Sequence, residues 1–156
     1  MRVTRIRYAI PGWGVGELAF FDGRLVEHSL PRPGRSDASG PHPLVERIAS
    51  YFRGEQVDFA DVQLFPFERT RFEEAALEAL RRIPYGDTVT YGELAALAGH
   101  PGAARAVGSF CARNAYGLVV PCHRVVAASG PGSYGSLGRA YKLRLLRLEG
   151  VELSSL

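Results

Sequence analysis

The run GLVVPCHRVV, residues 117–126, sets a cysteine and a histidine side by side between two apolar stretches. A cysteine attacks only as its thiolate. A histidine is the side chain best suited to take a thiol proton near neutral pH, directly or through a water. Cys122 and His123 therefore carry the residue types of a nucleophile and its base. Neighbours in a regular strand point to opposite faces, so the pair needs a turn at residues 121–123 or a bridging water. Pro121 lacks an N–H and biases Val120 to extended geometry. The competing reading is a buried structural thiol.

The surrounding charge bears on this chemistry. Residues 1–70 hold nine basic and nine acidic side chains. Residues 94–148 hold Arg105, Arg113, Arg124, Arg139, Lys142, Arg144 and Arg147 with no Asp or Glu. Such a one-sign stretch suits a polyanion, and it is expected to lower the pKa of Cys122. The first carboxylate after Glu93 is Glu149, at the end of the helical pattern YKLRLLRLEG. A carboxylate at a helix C-terminus is unfavourable unless paired.

The elements that must position these groups divide near residue 65. In residues 1–65, TRIRYAI, GELAFF and RLVEHSL read as strands, with Asp22-Gly23 as a hairpin turn. LVERIASYFRG reads as a helix with Val45, Ile48, Ala49 and Phe52 on one face. Residues 66–156 read as mainly helical. RFEEAALEALRRI carries Phe72, Ala76, Leu80 and Ile83 at helical spacing and is stopped by Pro84-Tyr85-Gly86. Thr90 and Glu93 form a capping box for a helix with Leu94, Leu97 and Ala98 on its apolar side and Gly99 at its end. GHPG then leads into a second helix with Pro101 in its first turn, so residues 90–113 are a helix-turn-helix candidate. Its apolar stripe is Ala103, Ala106, Val107 and Phe110, leaving Ala104, Arg105 and Gly108 elsewhere on the surface. Small residues beside an arginine permit close approach to DNA; filler on a solvated face is the plain alternative. The loop after residue 126 is rich in glycine, and a last helix closes at Gly150. The fold expected is α+β: a small N-terminal α/β domain with a short antiparallel sheet, then a mainly helical domain.

The two cysteines form no disulfide framework, and the four histidines are too scattered for a zinc site. No segment is long and apolar enough to span a membrane, and no signal peptide is visible, so a cytoplasmic monomer without metal is expected.

PCHRV resembles the signature of the O6-alkylguanine-DNA alkyltransferases, also called methylated-DNA–protein-cysteine methyltransferases. IPYGDTVTYGELAALAGHPGAARAVG, the asparagine eight residues before the cysteine, the Ser-Gly loop and LLRLEG follow in family order, covering roughly residues 72–150. The resemblance implies transfer of an alkyl group from guanine O6 in double-stranded DNA to Cys122, irreversibly and once per molecule, with no cofactor. It implies that His123 takes the thiol proton through a water, Glu149 polarises His123, and Asn114 orders the backbone. It assigns Tyr91 to nucleotide flipping and leaving-group protonation. Arg105 takes the place of the flipped nucleotide, on a minor-groove helix that bears Ala103, Ala104 and Gly108, and Arg124 joins the DNA-contacting set. Tyr134 with Ser133 and Gly135 walls the base pocket, to which Val125 and Lys142 are also assigned. One departure is local: the loop reads GPGSYGSLG, where many relatives have two glycines after the tyrosine. Three other functions keep the same shape or chemistry: a lesion binder that does no repair, an unrelated Cys-His hydrolase, and a transcription factor reading one sequence in the major groove.

Overall fold

Asp22 and Gly23 both adopt positive φ, 52° and 73°, the backbone of a two-residue type I′ hairpin. That turn joins β2 (Gly14–Phe21) to β3 (Arg24–Arg32), and β1 (Thr4–Ile10) completes an antiparallel sheet in the order β1-β2-β3. This computed structural model describes residues 2–35 and 37–153. The chain divides into two units: Met1–Phe67 with Ala115–Val119, and Glu68–Asn114 with Val120–Leu156.

In the first unit, Tyr8, Ile10, Leu18, Leu25 and Leu30 are buried. Helix α1 (Pro43–Phe52) begins on His42, whose side chain accepts from the Leu44 N–H, with Pro43 in the first turn where its missing donor costs nothing. The buried face is Leu44, Ile48, Tyr51 and Phe52. It is rotated from the expected Val45/Ile48/Ala49/Phe52 stripe, because the larger Leu44 and Tyr51 side chains take the inner positions. Trp13, at the β1–β2 turn, packs its ring 4.7 Å from that of Phe52.

The outer edge of β3 is covered by chain from elsewhere. Leu25 bridges to Leu64 and His28 to Tyr116, both in parallel sense. The His28 N–H donates to the Ala115 carbonyl at 2.8 Å. Buried His28 donates from Nδ1 to the Gly117 carbonyl at 2.6 Å and accepts at Nε2 from the Tyr8 hydroxyl at 2.5 Å. Both ring nitrogens are engaged as a neutral imidazole requires. A Cβ on Gly117 would lie 2.5 Å from the Leu30 side chain, so only glycine fits against the sheet here. Residues 115–119 thus belong with the first unit, a difference from a division at residue 65. Their backbone groups find partners on β3.

In the second unit, α2 (Arg71–Arg81) starts with a reciprocal capping box between Thr70 and Glu73, and α3 (Tyr91–Leu97) with one between Thr90 and Glu93. Each such cap stabilises its helix by about 1 kcal/mol. A two-residue strand β4 (Val89–Thr90) pairs in parallel with β5 (Val125–Val126). Helix α3 packs against α4 (Ala104–Ala112) across the turn at residues 98–103, and α5 (Arg139–Leu148) ends on Glu149. Pro101 does not open α4. Gly102 turns the chain with φ 88°, and the helix begins three residues after the proline, on an Ala103 N-cap that makes no side-chain hydrogen bond. Leu97 lies 66% exposed instead of on the inner face, where Leu94 and Ala95 are buried.

Candidate active site

The chain approaches the reactive residues through tight turns. Within the first unit, Val119 N–H donates to the Gly117 carbonyl at 2.8 Å around Leu118, whose φ is 66°. In the second, Cys122 N–H donates to the Val120 carbonyl at 2.8 Å around Pro121, with φ −80° and ψ 63°. Those are the angles of an inverse γ-turn, and proline supplies the φ without effort. Residues Cys122–Arg124 continue as a single 3-10 turn. Of the two routes the sequence left open, a turn or a bridging water, the turn is present. Asn114 holds it from the side: Nδ2 donates to the Val120 carbonyl at 2.9 Å, and the same side chain hydrogen-bonds Cys122.

His123 is wholly buried. Its Nε2 donates to Glu149 at 2.5 Å, while its buried Nδ1 makes no hydrogen bond among the described residues. Burial lowers the pKa of His123 against the opposing pull of Glu149, which favours a neutral ring. With the proton on Nε2, the Nδ1 lone pair is left as the base.

Glu149, the C-cap of α5, holds the centre of this cluster. It accepts from Arg124 Nε at 2.9 Å and Nη2 at 3.2 Å, and from the Gly86 N–H at 3.0 Å. Burial would raise its pKa, but the hydrogen bonds and charges of His123 and Arg124 outweigh this and hold it well below the usual carboxylate range. Tyr85 extends the cradle: its hydroxyl donates to the Leu148 carbonyl at 3.3 Å, and the Arg124 guanidinium lies 5.9 Å from its ring centre. Pro84-Tyr85-Gly86, read from sequence only as a helix stop, is thus part of the site. Its signal was the glycine, which turns with φ 82° beside the Glu149 backbone.

Two assignments are corrected. Arg124 is only 7% exposed; it binds Glu149 and donates to the Ile83 carbonyl at 2.7 Å, so its charge is spent inside and not offered at the surface. The pKa of Cys122 is raised well above its ordinary value, not lowered. Burial is the first cause and the neighbouring Cys111 the next. Of the seven basic residues, five (Arg105, Arg113, Arg139, Arg144 and Arg147) are exposed, and Arg124 is neutralised, leaving Lys142 alone to favour the thiolate. At rest Cys122 is a thiol.

Buried Lys142 has its pKa brought down to about 8 by burial. Its Nζ donates to the Ser133 carbonyl at 3.1 Å and to the Tyr91 hydroxyl at 3.3 Å, and lies 5.4 Å from the Tyr91 ring centre. Tyr91, the first residue of α3, has its pKa raised by burial and by the nearby thiols. A Cβ on Gly132 (φ 77°) would fall 2.7 Å from the Tyr91 hydroxyl, so glycine is needed where the loop passes over the ring. Tyr134 is affected by Cys122 and Cys111, and burial raises its pKa well above the ordinary value. Ser133, Tyr134 and Gly135 line a cavity of about 430 Å³ together with Gly138 and Arg139. Val125 is fully buried in the β4–β5 pair, and Lys142 meets this loop through its bond to the Ser133 carbonyl.

On α4, Val107 is the buried residue, and Arg105 and Ala106 are exposed. Ala103, Ala104 and Gly108 are half-buried, and a Cβ on Gly108 would lie 4.0 Å from the Tyr91 ring. The inner face is therefore rotated from the Ala103/Ala106/Val107/Phe110 stripe, and it carries Cys111. The pKa of Cys111 is lowered by the neighbouring Cys122, against burial. Among the described residues, no group of three or more His, Cys, Asp or Glu could hold a metal ion, and no helix is long and apolar enough to cross a membrane.

Residues 71–151 match the family described as 6-O-methylguanine DNA methyltransferase, DNA binding domain. The methylated-DNA–protein-cysteine methyltransferase of Methanosarcina acetivorans is 46% identical over 104 residues, which cover 67% of this chain but 65% of that one, slightly under two thirds of its length. The protein of the same name from Methanopyrus kandleri is 44% identical over 131 residues, 81% of this chain and 96% of that one. The crystal structure of Mycobacterium tuberculosis OGT in complex with DNA superposes with a TM-score of 0.77 at 37% identity, over 93% of this chain and 91% of that one. The chain belongs to the O6-methylguanine DNA methyltransferase family.

Proposed function

We propose that this protein repairs DNA by taking the alkyl group of O6-alkylguanine onto Cys122, once and irreversibly. The observation that carries this reading is the Cys122-His123 turn, in which His123 is locked to Glu149 through Nε2 and keeps a buried, unbonded Nδ1. A resting thiol needs such a base. His123 takes the proton of Cys122 at Nδ1, through a water, and Glu149 with Arg124 steadies the imidazolium that results. The sulfur then attacks the alkyl carbon. The bond from that carbon to O6 breaks, and its electron pair remains with the guanine. The Tyr91 hydroxyl, held by Lys142, stands by to stabilise or protonate the departing base. A thioether has no carbonyl for water to attack, so the sulfur is not regenerated and the protein acts stoichiometrically.

Guanine O6 in a stacked duplex is out of reach of a buried sulfur, so the nucleotide must leave the stack. Exposed Arg105, on the first turn of α4, is the side chain suited to fill the gap, and the half-buried Ala103 and Ala104 beside it leave the surface low enough for close approach. In this reading α3, the 98–103 turn and α4 act as a helix-turn-helix on double-stranded DNA, with Tyr134 walling the base pocket.

Intact-mass measurement after mixing with a duplex carrying one O6-methylguanine tests the proposal. One methyl group per protein, mapped to Cys122 and then no more, is expected. Tight lesion-selective binding without an adduct would instead establish a sensor, and continued turnover would establish a hydrolase.

A further inference from the structure

We propose that Arg124 is a positioning residue for the proton relay: clamped to both oxygens of Glu149, it reserves the Nδ1 lone pair of His123 for the proton of Cys122. The proposal rests on the relay given above for its functional meaning, but the state of the ring can be read without any alkyl substrate.

The clamp is built from direct hydrogen bonds. Arg124 donates from Nε to Oε1 of Glu149 at 2.9 Å and from Nη2 to Oε2 at 3.2 Å. Oε2 also accepts from His123 Nε2 at 2.5 Å, and Oε1 from the Gly86 N–H at 3.0 Å. The guanidinium is anchored on its other side, where Nη1 donates to the Ile83 carbonyl at 2.7 Å and the Tyr85 ring centre lies 5.9 Å away. Arg124, Glu149 and His123 are all buried, so water does little to screen them.

Charge counting gives the arginine its role. A net charge held inside a protein is costly. With Arg124 in place, guanidinium and carboxylate cancel, and a neutral His123 leaves the cluster neutral. A proton taken from solvent would leave it with one net positive charge. Without Arg124, the same proton would neutralise the carboxylate instead. Nδ1 would then be filled at rest, and the ring could not act as base.

A proton from Cys122 is a different case. The S–H bond breaks, an N–H bond forms at Nδ1, and the thiolate left behind balances the imidazolium. The clamp therefore opposes protonation from outside but not transfer from within. Burial acts on His123 in the same direction as Arg124, and Lys142 adds to both; Glu149 alone pulls the other way. A lysine at position 124 could carry the charge, but only arginine presents a planar fork able to hold two oxygens while reaching a third acceptor.

Full-length protein carrying isotope-labelled histidine is titrated by NMR between about pH 6 and pH 9, around the ordinary histidine value. Transfer to Cys122 from a duplex with one O6-methylguanine is timed over the same range. In the parent protein the His123 ring should stay neutral throughout, with its proton on Nε2. In Arg124→Gln it should be charged at pH 7. Transfer by that variant should lag the parent most at low pH, the deficit shrinking by about tenfold per pH unit until the ring loses its extra proton. Arg124→Lys keeps the charge and loses the fork, so its ring should stay neutral and its deficit should not change with pH. A parent ring charged at pH 7 overturns the proposal, as does a neutral ring in Arg124→Gln or a deficit in that variant that is constant with pH. If Arg124→Gln does not fold, the parent and Arg124→Lys decide, and a charged ring in either overturns it. If the parent accepts no alkyl group, the functional reading fails, and the ring titrations still decide whether Arg124 keeps Nδ1 open.

Discussion

The Nε2 of His123 donates to the Glu149 carboxylate across 2.5 Å, with both side chains fully withdrawn from solvent. The arrangement fixes the tautomer of the ring and leaves Nδ1 with a lone pair, the base of the proposed transfer. Glu149→Gln removes the charge while keeping the shape. It should slow alkyl transfer by about 10²–10⁴-fold, the range of general-base effects, and leave the buried Arg124 without its counter-ion. Breaking one side of such a pair costs about 3–5 kcal/mol, so transfer rate and urea midpoint should fall together. A variant with normal transfer would remove Glu149 from the relay.

Arg105→Ala separates flipping from chemistry. Extrusion of a base costs a few kcal/mol, so in the role proposed for Arg105 its removal should slow repair of a duplex lesion by about 10–100-fold. Reaction with free O6-benzylguanine, which needs no flipping, should stay unchanged. Equal slowing of both would place Arg105 elsewhere in the mechanism.

Gly132→Ala tests the loop over Tyr91. The residue sits at φ 77°, and its added Cβ would fall 2.7 Å from the Tyr91 hydroxyl. A left-handed L-residue costs about 1–2 kcal/mol, and the clash should also push Tyr91 away from Lys142. Transfer to Cys122 is expected to slow more than the modest fall in melting temperature explains. Unaltered transfer kinetics would show that the Tyr91 position is not critical.

The buried His28 makes stability depend on pH. Its pKa is lowered from 6.5 to about 4 by burial, partly opposed by its bond to the Gly117 carbonyl. Between these values the unfolded chain binds a proton that the folded chain does not, so stability falls as pH drops from 6.5 towards 4. The shift corresponds to at most about 3 kcal/mol. Burial lowers His123 in the same sense, and Glu149, held low in the fold, adds a further loss once the unfolded carboxylate protonates. Unfolding free energies measured across this range should show the slope, and His28→Gln should flatten it.

What sequence made legible was local. The strand alternation, the Asp22-Gly23 hairpin and the Thr90–Glu93 capping box depend on neighbours in the chain, and each stands in the structure. The helical faces of α1 and α4 were misread because several rotations bury similar numbers of apolar atoms, and tertiary packing selects among them. The basic run from 94 to 148 was visible, but whether a charge points outward was not: Arg124 and Lys142 turn inside. The meeting of Gly86 with Glu149 depends on elements brought together across the second unit, and no spacing announces it.

The excursion of residues 115–119 to the edge of β3 also has a consequence for synthesis. It pairs Gly117 with His28, 89 positions earlier in the chain, and such distant closure is entropically slow. The chain passes through this pairing just before it reaches Val120, Pro121 and Cys122. During translation the sheet that receives residues 115–119 emerges from the ribosome first. It is available as a template by the time Cys122 is made.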